Sequence, residues 1–245
     1  MPTFRGSMVA VVTPMHGGVS PDAPIDWDRF ENLLDFHVSQ GTDAIVAIGT
    51  TGESATLSER EHCDAVARVV AHINGRVPVI AGTGANSTTE AIRLTECAAE
   101  AGANACLLVT PYYNKPTQEG LYQHFKAIAD ATNLPLIVYN IPGRTARLIE
   151  ADTLAEIATH PNVVATKDSV EDTKFTSRCR QLLPDDFLML PLGGTREIGS
   201  HKGFGLGVMV GHPLSWTGRQ ARRCGTTSAT SLPGCHPAWP ARSAR

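Results

Sequence analysis

Three things are missing from these 245 residues: a C-x-x-C pair, a long apolar run, and an excess of charge of either sign. Six cysteines are present, but Cys63, Cys97, Cys106, Cys179, Cys224 and Cys235 are scattered, so neither a zinc site nor a disulfide framework is indicated and reduced thiols are expected. No apolar stretch approaches the ~18 residues a membrane span requires, and the first residues lack the apolar core of a signal peptide. A cytoplasmic protein is expected. With 24 acidic against 21 basic residues the net charge is −3, which gives no reason to expect nucleic acid or an anionic membrane as a partner. His37, His62, His72, His124 and His160 fall on helical patterns without metal-ligand spacing, so no metal is expected. Gly82-Thr83-Gly84 lacks the third glycine and acidic partner of a dinucleotide fingerprint and reads as a turn.

The chain does contain 42% hydrophobic and 18% charged residues, enough apolar material for one sizeable core. Residues 7–13, 44–49, 77–81, 105–110, 136–140, 163–166 and 187–190 are short, mostly continuous hydrophobic runs, the signature of strands buried on both faces. Helical patterns lie between them. Asp26 or Asp28 can cap the first, Ser58 with Glu59 and Glu61 opens the second, and Thr88-Thr89-Glu90 opens the third; Gly41, Gly75 and Gly102 mark their ends. Repeated βα units leave a doubly wound sheet or a (β/α)8 barrel. Polar residues follow six successive strands, at Thr13, Gly49 to Glu53, Gly82 to Gly84, Thr110 to Tyr113, Tyr139 to Arg144 and Lys167-Asp168, which favours the barrel.

In a parallel barrel those strand ends share one mouth, and Lys167 and Tyr139 end two neighbouring strands there. A lysine attacks a carbonyl only as the neutral amine, so burial must bring its pKa down from about 10.4. Approached by Val163, Val164 and Ala165, Lys167 is placed for that, and a phenol held among hydroxyls such as Thr51 and Tyr113 can relay the protons of imine formation. The competing reading is a lysine paired with Asp168. Arg144 follows a Pro-Gly turn where a guanidinium can clamp a carboxylate, and Gly49-Thr50-Thr51-Gly52 offers a small anion nest.

These motifs, in this order, resemble the dihydrodipicolinate synthase family of class I aldolases over residues 4 to about 190. The resemblance rests on Val12-Thr13-Pro14-Met15, Gly49 to Leu57, Ala81 to Asn86, Thr110 to Pro116, Gly120 to Lys126, Tyr139 to Thr145 and Lys167. It implies a TIM-barrel lyase of the lysine and diaminopimelate pathway that needs no cofactor beyond a lysine imine. Pyruvate would condense with L-aspartate 4-semialdehyde to 4-hydroxy-tetrahydrodipicolinate. Lys167 would form the imine, Tyr139, Thr50 and Tyr113 would relay protons, Gly49 and Thr51 would hold pyruvate, and Arg144 the semialdehyde carboxylate. Tyr113 would serve a neighbouring subunit's site, so a homodimer or homotetramer is implied. Ser54, Ala55, His62, Asn86, Glu90 and Tyr112 stand at the positions of the lysine-inhibitor site. N-acetylneuraminate lyase relatives share the lysine and tyrosine but resemble the chain less at the double threonine and at Arg144.

The resemblance fades after residue 190. Pro191-Leu192-Gly193-Gly194-Thr195 replaces the family's Ser-Gly-Asp/Glu-Asp motif, and His201 to Val210 looks more like a segment of type-2 malate/lactate dehydrogenases. From His212 the chain has no acidic residue and no lysine. The expectation is a barrel domain over 1–210, altered or incomplete at its end, followed by a disordered, chimaeric or out-of-frame tail over 211–245. A catalytically inactive barrel is the alternative to a working enzyme.

Overall fold

The computed structural model describes residues 4–16, 23–191 and 207–211, all within one unit, Met1–His212. The expected tail over 211–245 and the motif replacement over 191–195 lie almost wholly outside these residues. No helix among the described residues is long and apolar enough to cross a membrane.

Eight strands form a single parallel sheet. They are β1 (Gly6–Ala10), β2 (Ala44–Ala47), β3 (Val79–Gly82), β4 (Ala105–Val109), β5 (Leu136–Asn140), β6 (Val163–Asp168), β7 (Leu188–Pro191) and β8 (Gly207–Gly211). Their order is β7-β6-β5-β4-β3-β2-β1-β8, so each strand to the seventh pairs with its sequence neighbour, as right-handed βα crossovers dictate. β8 then adds to the free side of β1, with Gly6 opposite Gly207 and Ala10 opposite Gly211. β7 and β8 approach each other but share no hydrogen-bonded ladder among the described residues, so the sheet curls as a barrel whose last seam is unpaired there, the altered end that was expected. The fold is the expected α/β barrel, and its eighth strand comes from the glycine-rich run that departs from the family pattern.

Helices follow the first six strands: α1 (Trp27–Ser39), α2 (Glu59–Ile73), α3 (Thr88–Glu100), α4 (Gln118–Asp130), then the single turn α5 (Pro142–Thr145) with α6 (Ala151–Ile157), and α7 (Thr173–Leu182). Asp26 caps α1 by accepting from the Arg29 N–H, and Ser58 and Glu61 cap each other across the first turn of α2. The cap of α3 is Ser87, which accepts from the Glu90 N–H, one residue ahead of the expected Thr88. All three helices end just before Gly41, Gly75 and Gly102.

The core inside the barrel is built by alternate residues of the first seven strands: Met8 and Ala10, Ala44 and Val46, Ile80, Ala105 and Leu107, Ile137 and Tyr139, Ala165, and Leu190. Small and large residues alternate within it. The cysteines correct one expectation. Cys63 on α2 and Cys97 on α3 are joined in a disulfide, with Cα atoms 5.7 Å apart. Spacing gave no hint of it because only the stacking of consecutive helices brings the two faces together. Cys106 and Cys179 are free and buried.

Candidate active site

A bulge sets the register at the centre of the mouth. Leu136 lies opposite Val163, but the next pair is Ile137 with Ala165, so Val164 has no partner and every later residue of β6 moves up by one. Lys167 rather than Thr166 therefore stands opposite Tyr139. The Lys167 Nζ lies 4.2 Å from the centroid of the Tyr139 ring, over its face. Both side chains are buried, at 4% and 5% exposure.

Burial disfavours the ammonium form and, with the nearby positive charge of Arg144, brings the Lys167 amine down to about 8. About a tenth of the amine is then neutral at pH 7, far more than for an exposed lysine. Burial also raises the Tyr139 phenol, opposed by the Ser169 side chain and the Arg144 charge. Asp168 does not pair with Lys167. As the next residue on the strand it faces the other way, where its carboxylate accepts from the Val170 N–H at 2.9 Å and the Thr176 hydroxyl at 3.5 Å. There, burial raises it to about 6. The competing reading of an ordinary ion-paired lysine thus has no support.

The main chain around Tyr139 is fixed by its neighbours. Thr110, at the end of β4, donates both its N–H and its hydroxyl to the Tyr139 carbonyl. Asn140 exchanges two hydrogen bonds with Ile149, giving to its carbonyl and accepting from its N–H, and so closes the loop that carries Arg144. Arg144 is exposed on α5, in the same electrostatic neighbourhood as Lys167 and Tyr139.

Across the mouth, the turn after β2 is tight and strained. Ile48, fully buried, is held at φ 51°, a costly conformation for a β-branched residue. Gly49 then accepts from the Gly52 and Ser54 N–H groups, and the Thr13 hydroxyl donates to the Gly52 carbonyl at 2.7 Å. Gly82 permits this packing, since a Cβ there would stand 2.5 Å from the Ile48 carbonyl oxygen; Gly84 does the same for the approach of the next loop to β4, where a Cβ would stand 2.2 Å from the Val109 nitrogen. Thr51 is half-buried and Thr50 exposed, and neither hydroxyl is hydrogen-bonded among the described residues. Tyr113 is 89% exposed on the loop after β4, in the left-handed region at φ 73°. Within one chain it is not brought to Tyr139.

The six residues expected at inhibitor-site positions fall in three places. Asn86, Tyr112 and Glu90 meet at the start of α3, where Asn86 donates to the Tyr112 carbonyl at 3.3 Å and Glu90 helps burial to raise the Tyr112 phenol. Ser54 and Ala55 lie on the turn after β2. His62 is buried on α2, with its Nε2 2.8 Å from the Gly82 carbonyl, and burial lowers its pKa. Sequence reasoning missed Ser169, the residue after Asp168, and Ile48; the single signal for either was its place beside a strand end.

A profile of the dihydrodipicolinate synthetase family matches residues 3–200. The chain belongs to this family. A 4-hydroxy-tetrahydrodipicolinate synthase of Stutzerimonas stutzeri (strain A1501) is 56% identical over 188 residues, which are 76% of this chain and 62% of that protein. The crystal structure of the chloride-inhibited dihydrodipicolinate synthase of Acinetobacter baumannii complexed with pyruvate superposes with a TM-score of 0.73 at 50% identity, covering 77% of this chain and 64% of the other. The lysine-bound structure of the Cyanidioschyzon merolae protein gives the same TM-score at 40% identity, over 77% of this chain and 63% of that one. The chain thus spans less than two thirds of the length of these family members.

Proposed function

We propose that this chain is a Schiff-base lyase that condenses pyruvate with L-aspartate 4-semialdehyde to 4-hydroxy-tetrahydrodipicolinate, as relatives named for that product suggest. The observation that carries the reading is the buried Lys167 amine, lowered to about 8 beside the Tyr139 phenol at the open end of the barrel. The neutral amine attacks the pyruvate carbonyl to give a carbinolamine, and loss of water leaves the imine on Nζ. Tyr139 is the nearest acid and base for those proton transfers, and no metal or organic cofactor enters the scheme.

The other assignments rest on the family resemblance. Thr51, with the amides of this turn that are not already donated to the Gly49 and Thr50 carbonyls, holds the pyruvate carboxylate, and Gly49 gives the backbone room to approach. Thr50 and a second subunit's Tyr113 join the Tyr139 relay, which is why a tyrosine can stand 89% exposed on one chain. A dimer or tetramer of a cytoplasmic enzyme is the corresponding assembly. Lysine would bind at Ser54, Ala55, His62, Asn86, Glu90 and Tyr112.

Arg144 separates the synthase from other pyruvate aldolases. A guanidinium that holds the semialdehyde carboxylate by charged hydrogen bonds should be worth roughly ten- to hundredfold in kcat/KM for that substrate. In a coupled assay, Arg144→Ala is expected to lose that factor for aspartate semialdehyde while its KM for pyruvate changes little. Equal kcat/KM values for the variant and the parent would contradict the assignment.

A further inference from the structure

The contribution of β6 to the mouth extends one residue past the strand. The Ser169 N–H donates to the Asn140 carbonyl at 3.0 Å, continuing the ladder beyond the Asn140 and Asp168 pair. Residues two apart on a strand share a face, so Ser169 stands on the side of Lys167 and away from Asp168. Its Oγ is shielded from solvent and makes no well-aligned hydrogen bond among the described residues, although it lies within reach of the Tyr139 phenol. A buried hydroxyl left without a well-formed hydrogen bond is uncommon.

The group it faces is Tyr139. The Ser169 side chain acts on that phenol and favours its ionised form, against the effect of burial. Among the described residues, the other charged groups around Tyr139 are the Lys167 amine on β6 and the Arg144 guanidinium on α5. On the β4 side its neighbours Val109 and Thr110 do not titrate.

We propose that Ser169 is a positioning residue for Tyr139, its hydroxyl donating to the phenolic oxygen when substrate fills the mouth. The O–H of Ser169 keeps its own proton throughout. It orients the Tyr139 oxygen toward the Lys167 adduct and stabilises the phenolate during the interval when the phenol has given up its proton. The proposal rests on the Schiff-base reading above.

The test compares the parent, Ser169→Ala and Ser169→Thr by pyruvate and borohydride trapping and by pH profiles of the condensation. Ser169→Ala is expected to keep the Lys167 adduct and a near-parental KM for pyruvate. Its kcat should fall roughly tenfold, the worth of one hydrogen bond made in the transition state. Its alkaline limb should move to higher pH, because the phenol has lost a group that favours ionisation. Ser169→Thr, which keeps the hydroxyl, should recover most of the rate. Parental kcat and an unmoved pH profile in a variant that still forms the adduct overturn the role of Ser169 alone. A folded parent that forms no adduct overturns the Schiff-base reading and this role with it. If Ser169→Ala fails to fold, Ser169→Cys, a much weaker donor of similar size, decides on the same criteria.

Discussion

A buried lysine works against the fold that buries it. Lowering the Lys167 amine from 10.5 to about 8 corresponds to roughly 3 kcal/mol of unfavourable burial of the charged form. Between those two values the unfolded chain binds the extra proton, so the folded state gains stability as pH rises through this window; below about 8 both states are protonated and the full cost stands. Lys167→Met is therefore expected to be more stable than the parent at pH 7, with the difference shrinking toward pH 10. Urea melts at the two pH values check this, and a constant difference would contradict the assigned burial. The identity of Lys167 was legible in the sequence, since an amine ends a β-branched run. Its opposition to Tyr139 was not, because one unpaired residue, Val164, decides the register and no residue type marks it. Nor could sequence show that Asp168 turns toward Val170 and Thr176.

At the scale of elements, capping and strand signals transferred well because they depend on residues adjacent in sequence. Ser58 with Glu61 and Asp26 with Arg29 are local pairs, and the structure contains both. The link from Cys63 to Cys97 depends instead on how α2 and α3 face each other, and sequence reasoning about spacing missed it. It closes a loop with a sequence separation of 34, for which chain-entropy estimates give about 3–4 kcal/mol of stabilisation. Reduction with dithiothreitol is expected to lower the midpoint of denaturation, and Cys97→Ser should already show the lower value and respond no further. A parent whose midpoint is the same with and without reductant would contradict the stabilising role. The first of these helices also supports the site from behind, since His62 on α2 meets the Gly82 carbonyl and Gly82 packs against Ile48 and Gly49.

For the whole molecule, the question raised by the sequence was whether a chain that leaves its family pattern after residue 190 still completes a barrel. Seven strands were legible from their hydrophobic runs. The eighth was harder to read, because a glycine-rich segment carries little alternation to fix a register. In the structure Gly207–Gly211 runs parallel to β1 and covers its edge, which would otherwise invite pairing with another chain. The barrel core of alternating small and large residues can then exclude water from Lys167. Reactivity of that one amine consequently reports on the whole architecture. The most direct measurement is to incubate the folded protein with pyruvate and borohydride near pH 8 and locate the reduced adduct by peptide mass spectrometry. Modification is expected only on the peptide containing Lys167 and is expected to vanish in Lys167→Ala; folded protein with no adduct, or with pyruvate spread over several surface lysines, would contradict a reactive Lys167.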